Sequence, residues 1–279
     1  MITTALPSLE AWTAHFAQAP VPVLPRTADA MDWLKDRQDD LDAHRIAEFL
    51  AGDPLMTLKI FRRLAAVSPQ TDDDDGEIGA ESVTAALVYL GVGPFFAGFE
   101  QLITTDELLA SRPHALDGLH EVLRRAARAA VFALGFAVHR MDSDAPALYH
   151  AALLHDFAEM LLWCHAPDLA LEIRRRQRHD PTLRSARAQM DVLHIHLADL
   201  EQALMRAWRL PRVWRRLTDE HAAAHDLQAR TVTLAIRLAR HTQQGWDNAA
   251  LPDDIADIAA LLNLSPEATL RKVRDLDEV

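Results

Sequence analysis

The stretch IAEFLAGDPLMTLKI, residues 46–60, decides the fold because it contains a chemically recognisable helix start. Asp53 supplies a side-chain oxygen that can accept hydrogen bonds from the first backbone N–H groups of a helix. Pro54 occupies the first helical position, where its missing N–H costs nothing. The apolar residues that follow recur at intervals of three and four, which predicts a helix over about residues 54–67.

The same signals extend along the chain and favour an all-α fold. Only 9 of the 279 residues are glycine, 49% are hydrophobic, and alternating β-branched runs are nearly absent. The pattern predicts helices from about residue 9 to residue 276, including single helices over 94–110 and 145–164. The segment VPVLP, residues 21–25, is predicted to run extended across the surface because its prolines oppose a helix.

A polar break at residues 111–114, SRPH, divides the chain into two predicted lobes. An N-terminal helical lobe covers residues 1–110 and a C-terminal helical lobe covers residues 111–279. No internal repeat is evident.

The charge balance argues against nucleic acid or an anionic membrane as a partner. The chain has 29 Lys and Arg against 41 Asp and Glu, a net charge of −12 with histidine neutral. It contains no run of 18 uncharged apolar residues, and its first residues lack the pattern of a signal peptide. The single cysteine, Cys164, lies among apolar residues and cannot form an internal disulfide, which is typical of a reducing compartment. We expect a cytoplasmic protein.

Several common catalytic and nucleotide-binding motifs are absent from the sequence. There is no GxGxxG, Walker A, HExxH, GxSxG or paired CxxC pattern. Classical nucleotide folds, zinc proteases, α/β-hydrolases and zinc ribbons therefore have no signature here.

The dipeptide His155-Asp156 lies in the otherwise apolar stretch YHAALLHDFAEMLL, residues 149–162. A neutral imidazole beside a carboxylate can ligate a divalent metal and help to generate hydroxide. The same dipeptide also occurs at residues 179–180 and 225–226. By itself, it does not separate a metal site from a polar pair that is satisfied inside the fold.

Three blocks, in order, carry a family resemblance. Residues 46–60, with VTAALVYLG at 83–91, are similar to "DPxLTxKIL" and "SIxxAIxxLG". ALLHD, residues 152–156, is similar to "GLLHDIGK", and LMRAWRLP, residues 204–211, followed by His221, is similar to "LLxxWxLPxxIxxAIxxHH". The chain resembles an HDOD domain, the signalling-associated branch of the HD superfamily that has generally lost the hydrolase site.

The resemblance also indicates where the chain departs from catalytic HD phosphohydrolases. Their first metal ligand is a histidine on the preceding helix, and the resemblance places Arg125 at that position. A guanidinium has no lone pair to donate to a metal. His120 is a poor substitute because five residues rotate it about 140° around a helix. The later ligand position falls on Leu197, one residue from His196.

The resemblance implies that the N-terminal lobe packs on a degenerate HD-like C-terminal lobe, the two forming one HDOD domain over about residues 20–275. It also implies a function by binding. We expect a non-catalytic bacterial signal-transduction adaptor or regulator with a signalling protein as partner, a nucleotide or cyclic dinucleotide as a further candidate ligand, and no cofactor. No metal site is expected, and the vestigial candidates are His155, Asp156, His196 and His221.

Two other hypotheses stay open at this stage. In the first, the protein is a metal-dependent phosphohydrolase of a nucleotide or cyclic dinucleotide, with those same four residues as ligands. In the second, it is a nucleotide sensor without chemistry, in which Arg125 and neighbouring arginines hold phosphate where the metal once lay.

Overall fold

The computed structural model describes residues 1–69, 80–180, 182–219 and 222–278, and these are predominantly helical. The helices are α1 Leu9–Gln18, α2 Pro25–Lys35, α3 Ala43–Leu50, α4 Pro54–Val67, α5 Val83–Leu90, α6 Val92–Gly98, α7 Thr105–Leu108, α8 Pro113–His139, α9 Ala145–Leu154, α10 Phe157–His165, α11 Pro167–His179, α12 Ser185–Leu193, α13 Leu197–Ala207, α14 Arg212–Leu217, α15 Leu227–His241, α16 Leu251–Leu262 and α17 Pro266–Asp277. A short 3-10 turn, Ala222–Ala224, precedes α15. Extended pairing within the described ranges is limited to one isolated parallel bridge between Val23 and Thr104. The all-α prediction is confirmed.

The chain forms two compact units, each assembled from two separate parts of the sequence. Unit 1 comprises Met1–Val122 and Asp156–Pro211, and unit 2 comprises Leu123–His155 and Arg212–Val279. Among the helices that the structure describes, none is both long enough and apolar enough to cross a membrane.

This division differs from the consecutive lobes, 1–110 and 111–279, that the sequence predicts. The reason lies in contacts between distant parts of the chain. Helix α1 packs against α13, and the indole N–H of Trp12 donates to the carbonyl of Leu193 at 3.1 Å, across 181 residues. A polar break marks a loop, but it does not show which helices share a core.

The apolar stretch around His155 and Asp156 is two helices rather than the single helix predicted over 145–164. Helix α9 ends at Leu154, α10 begins at Phe157, and the two polar residues form the turn between them. Asp156 has φ −103° and ψ 20°, outside the α-helical region. Both helices are buried on most of their surface, so the apolar run continues across the break and does not signal it.

The helix predicted over 94–110 is also interrupted, and α6 and α7 flank the break. The Val23 N–H donates to the Ile103 carbonyl at 3.0 Å, and the Thr105 N–H donates to the Val23 carbonyl at 2.9 Å. Thr104 and Glu107 then form a reciprocal capping box at the start of α7. Val23 is completely buried, so its segment is extended, as predicted, but lies inside unit 1 rather than across the surface.

Asp53 caps α4, as the sequence predicts, and also holds the extended segment. Its carboxylate accepts hydrogen bonds from the backbone N–H groups of Leu55 at 2.8 Å and Met56 at 3.1 Å. The other carboxylate oxygen accepts from the Leu24 N–H at 2.9 Å. Only 1% of Asp53 is exposed. One buried side chain therefore satisfies three backbone donors from two segments of unit 1.

Gly118 in α8 leaves room for the indole of Trp163 in α10. A Cβ atom at Gly118 would lie 2.5 Å from the indole, which is closer than real Cβ contacts allow. Trp163 is 4% exposed, and the Arg174 guanidinium lies over its ring at 5.2 Å from the centroid. The indole therefore has little freedom to move away.

We expect Asp53→Ala to lower the free energy of unfolding by about 3 kcal/mol, because three buried N–H groups lose their acceptor. Asp53→Asn should lose less, since its amide oxygen can keep the α4 cap while its NH2 group cannot accept from Leu24. Asp42→Ala removes the exposed cap of α3 and serves as the control, with a loss of about 1 kcal/mol. Urea unfolding measures all three variants. A loss in Asp53→Ala no larger than that of the control would contradict the role assigned to Asp53.

We expect Gly118→Ala to lower the free energy of unfolding by about 1–3 kcal/mol, although alanine favours helix, because the added methyl overlaps a rigid indole. Gly135→Ala in the same helix is the matched comparison, since its Cβ would also lie 2.5 Å from a neighbour, but that neighbour is the flexible side chain of Leu276. Its loss should be smaller because leucine can change rotamer. Thermal unfolding by circular dichroism checks this order, and an equal or reversed order would refute the explanation.

Candidate functional site

The dipeptide His155-Asp156, which we call the HD pair, lies between two helices. His155 is the C-terminal cap of α9 in unit 2, and Asp156 is the N-terminal cap of α10 in unit 1. Both side chains are partly buried, and neither is without an interaction partner. The interpretation of His155 and Asp156 as a polar pair without metal stays a prediction.

Arg125, which the family resemblance places at the first-ligand position, lies in the unit 2 part of α8. Only 9% of this residue is exposed, and it has an interaction partner. His120, earlier on the same helix, belongs to unit 1, and its Nε2 atom lies 4.0 Å from Oδ1 of Asp106, with both side chains exposed to solvent. The guanidinium of Arg125 has no lone pair for a metal ion, so this residue cannot itself be a ligand.

His196 precedes α13 in unit 1, and its side chain is partly buried. Its Nδ1 atom is buried and has no hydrogen-bond partner among the described residues. Leu197, at the register of the family ligand, is a buried residue in the first turn of α13. His221 lies outside the described residues.

Across residues 1–69, 80–180, 182–219 and 222–278, no three His, Cys, Asp or Glu side chains are grouped closely enough to hold a metal ion. Cys164 is completely buried, and burial raises the pKa of its thiol to about 12. The thiol is therefore protonated at neutral pH and packs as a small apolar group, as the sequence predicts.

Residues that closely follow the first two family blocks meet Trp208 of the third block in the core of unit 1. The rings of Phe157 and Trp208 lie 5.6 Å apart, and the Arg62 guanidinium lies 4.9 Å from the Trp208 ring centroid. The indole N–H donates to the Ala17 carbonyl at 3.3 Å. Trp208 is 5% exposed, which confirms its predicted role as a core anchor.

Unit 1 also carries a cleft of about 350 Å³, which we call the cationic cleft. Three of its lining side chains are basic and come from one face of α4. The lining residues are Gln18, Ala19, Pro20, Val21, Lys59, Arg62, Arg63 and Phe99.

Residues 18–21 form one wall of the cationic cleft. Lys59 and Arg62 bind main-chain carbonyls in this wall or next to it. Lys59 Nζ donates to the Val21 carbonyl at 3.0 Å, and the two terminal nitrogens of Arg62 donate to the carbonyls of Ala17 and Ala19, each at 2.9 Å. The latter carbonyls lie at the C-terminal end of α1, where the helix dipole favours a cation. Burial lowers the pKa of both basic side chains, and the charge of Arg62 lowers the pKa of Lys59 further.

His165 of α10 binds Pro20, which lies in the middle of the same wall. Its Nε2–H donates to the Pro20 carbonyl at 2.9 Å, since a carbonyl oxygen can only accept. Burial, with a smaller contribution from nearby positive charges, lowers the pKa of His165 to about 4 against the opposing effect of the Pro20 bond. At neutral pH the imidazole is uncharged and serves as a structural donor.

The sequence does not predict the cationic cleft, although one feature of the cleft is visible in it. Lys59, Arg62 and Arg63 have the spacing i, i+3, i+4, which places three cations on one helix face. The other wall, however, lies far away in sequence, with Val21 separated from Lys59 by 38 residues. No local pattern links the two segments.

The family model described as HDOD domain matches residues 21–224 of the chain. No curated protein sequence matches the chain.

Solved structures share this fold at low sequence identity. The MmoQ response regulator from Methylococcus capsulatus str. Bath has a TM-score of 0.67 at 19% identity, with 92% of this chain and 99% of that chain covered. A virulence factor from Campylobacter jejuni subsp. jejuni has a TM-score of 0.66 at 16% identity, with 97% and 99% covered. At these identities the similarity establishes the fold alone.

We expect the protein to lose stability as the pH falls from about 6.5 towards 4, with His165 contributing about 2 kcal/mol of loss at pH 5. The folded-state pKa lies below the unfolded one, so the unfolded chain takes up the proton first and this stabilisation is fully present only above pH 6.5. His165→Gln keeps an N–H donor for Pro20 but does not titrate. Urea unfolding of both proteins at pH 7 and pH 5 isolates the effect, and an identical pH dependence would rule it out.

Proposed function

The chain belongs to the HDOD domain family, and from that premise we propose that it is a non-catalytic bacterial signalling protein that acts by binding. Its partner is a signalling protein, and a small ligand, such as a nucleotide or cyclic dinucleotide, is a further occupant. In this proposal the protein acts in the cytoplasm, where a reducing environment keeps Cys164 free.

Arg125 is the observation that carries the proposal. Its guanidinium keeps its proton and its charge at any physiological pH and has no lone pair for a metal. At 9% exposure, it also places a positive charge in the interior of unit 2. A divalent cation next to it would be repelled by about 4 kcal/mol per unit charge at 4 Å for an effective dielectric constant near 20.

The matching family and one solved structure support the proposed role in signalling. The matching family model covers most of the chain, and one solved structure of the same fold is named a response regulator. That name belongs to MmoQ, and the present proposal extends only its general class, signal transduction, to this chain. The motif residue Trp208 and Phe157, which follows the ALLHD block, have packing roles, which fits retention of the fold without chemistry.

One observation favours the alternative, a metal-dependent phosphohydrolase of a nucleotide or cyclic dinucleotide. The buried Nδ1 of His196 has no hydrogen-bond partner among the described residues, and a metal ion would satisfy it. The remaining ligands of this alternative are His155, Asp156 and His221.

Elemental analysis of the purified, untagged protein separates the two functions. We expect no stoichiometric Mn, Fe, Zn or Mg before or after metal loading and desalting, because Arg125 replaces the first ligand. We also expect no turnover of bis(p-nitrophenyl) phosphate or a cyclic dinucleotide. In His155→Ala and Asp156→Ala only the free energy of unfolding should change.

His179→Ala, at an exposed dipeptide of the same sequence, is the matched control. Near-stoichiometric metal in the wild type, with turnover lost in His155→Ala and kept in His179→Ala, would replace the binding function by the hydrolase.

A further inference from the structure

We propose that the cationic cleft of unit 1 binds a small organic anion through its phosphate or carboxylate group, with Lys59 and Arg63 as the contacting residues. This inference rests on the binding function proposed above and names the chemical class of its small ligand. It uses a site separate in sequence from the HD pair and from Arg125.

The cationic cleft is positively charged, whereas the chain as a whole carries a negative net charge. The protein carries a net charge of −12, yet three of the eight residues described as lining the cleft are cations and none is Asp or Glu. Cationic side chains that share a concave surface and lack a counter-ion repel one another, and a bound anion relieves that repulsion. The local potential therefore favours an anionic ligand.

The three cations differ in their hydrogen bonds and therefore in their roles in the cleft. Arg62 directs both terminal nitrogens to the carbonyls of Ala17 and Ala19, so it positions the wall. Lys59 directs one of its three N–H donors to Val21, so two donors are left for a ligand. Arg63 is exposed and has no hydrogen bond or ion pair to any residue that the structure describes.

Gly98, at the end of α6, keeps space beside the Arg63 guanidinium. A Cβ atom there would lie 3.2 Å from Arg63 Nε and 3.7 Å from its Cζ. A larger side chain at position 98 would therefore move the guanidinium without removing its charge. This offers a way to test the geometry of the cleft separately from its electrostatics.

The size and the apolar lining of the cleft indicate an organic anion rather than a bare ion. A volume of about 350 Å³ lies at the lower end of the range for small-molecule sites. Pro20 is exposed, and together with the 7% of Phe99 that is accessible it gives the non-ionic part of a ligand an apolar surface. Nucleoside monophosphates and small polycarboxylates both combine a compact body with a terminal anion.

Isothermal titration calorimetry with AMP, citrate and adenosine tests the proposal on the full-length protein. We expect AMP or citrate to bind while uncharged adenosine does not, with affinity falling as salt is raised. AMP alone would identify phosphate as the recognised group, citrate alone would identify carboxylate, and both would indicate a general anion site. Absence of binding by both anions overturns the inference.

Three variants and one control locate the binding. Arg63→Ala should weaken anion binding about tenfold or more with an unchanged melting temperature, because Arg63 is exposed and supports no other group. Lys59→Met and Gly98→Val should weaken it as well, and Arg45→Ala, an exposed arginine on α3 of the same unit, should not. Full affinity retained in Arg63→Ala and Lys59→Met would overturn the inference.

Failure of this inference differs from failure of the proposed function. Loss of the anion site would appear as absent calorimetric binding in a protein that still contains no metal. Loss of the proposed function would appear as stoichiometric metal and turnover, whatever the cleft binds.

Discussion

The buried carboxylate of Asp53 is the interaction on which the arrangement of unit 1 depends. A charge with 1% exposure is stable only when donors replace its water, and here the backbone N–H groups of Leu24, Leu55 and Met56 do so. The same bonds join the start of α4 to the segment before α2. That segment then bridges to Thr104, and its neighbours form one wall of the cationic cleft. The cap therefore positions the α4 cations against the wall they bind.

The HD pair marks a junction between two helices. His155 and Asp156 end one helix and begin the next, and Phe157, directly after them, packs on Trp208. These contacts give this part of the chain a structural role that does not depend on metal chemistry. In the proposed function, Arg125 brings a positive charge to the first-ligand position of catalytic HD proteins, and this departure from the family pattern is what favours binding over hydrolysis.

Local chemistry accounts for what could be predicted about the fold and the site. The Asp53-Pro54 helix start, the all-α class, the burial of Cys164 and the Trp208 anchor follow from capping, composition and apolar spacing. The breaks at His155 and before Thr104 do not follow, because the first lies within a continuous apolar run and the second is imposed by pairing with Val23. Only the Thr104–Glu107 capping box carried a signal in the sequence for the second break.

The sequence by itself determined the helical class of this protein and its family, and it is the source of the hypothesis that Arg125 replaces a metal ligand, because each depends on local residue chemistry. The tertiary structure alone decided that α1 packs on α13, that the extended segment is buried, that Arg62 meets the end of α1 and that Lys59 meets the extended segment. These features are contacts between segments distant in sequence, selected by which apolar faces fit together and which backbone groups still need a partner.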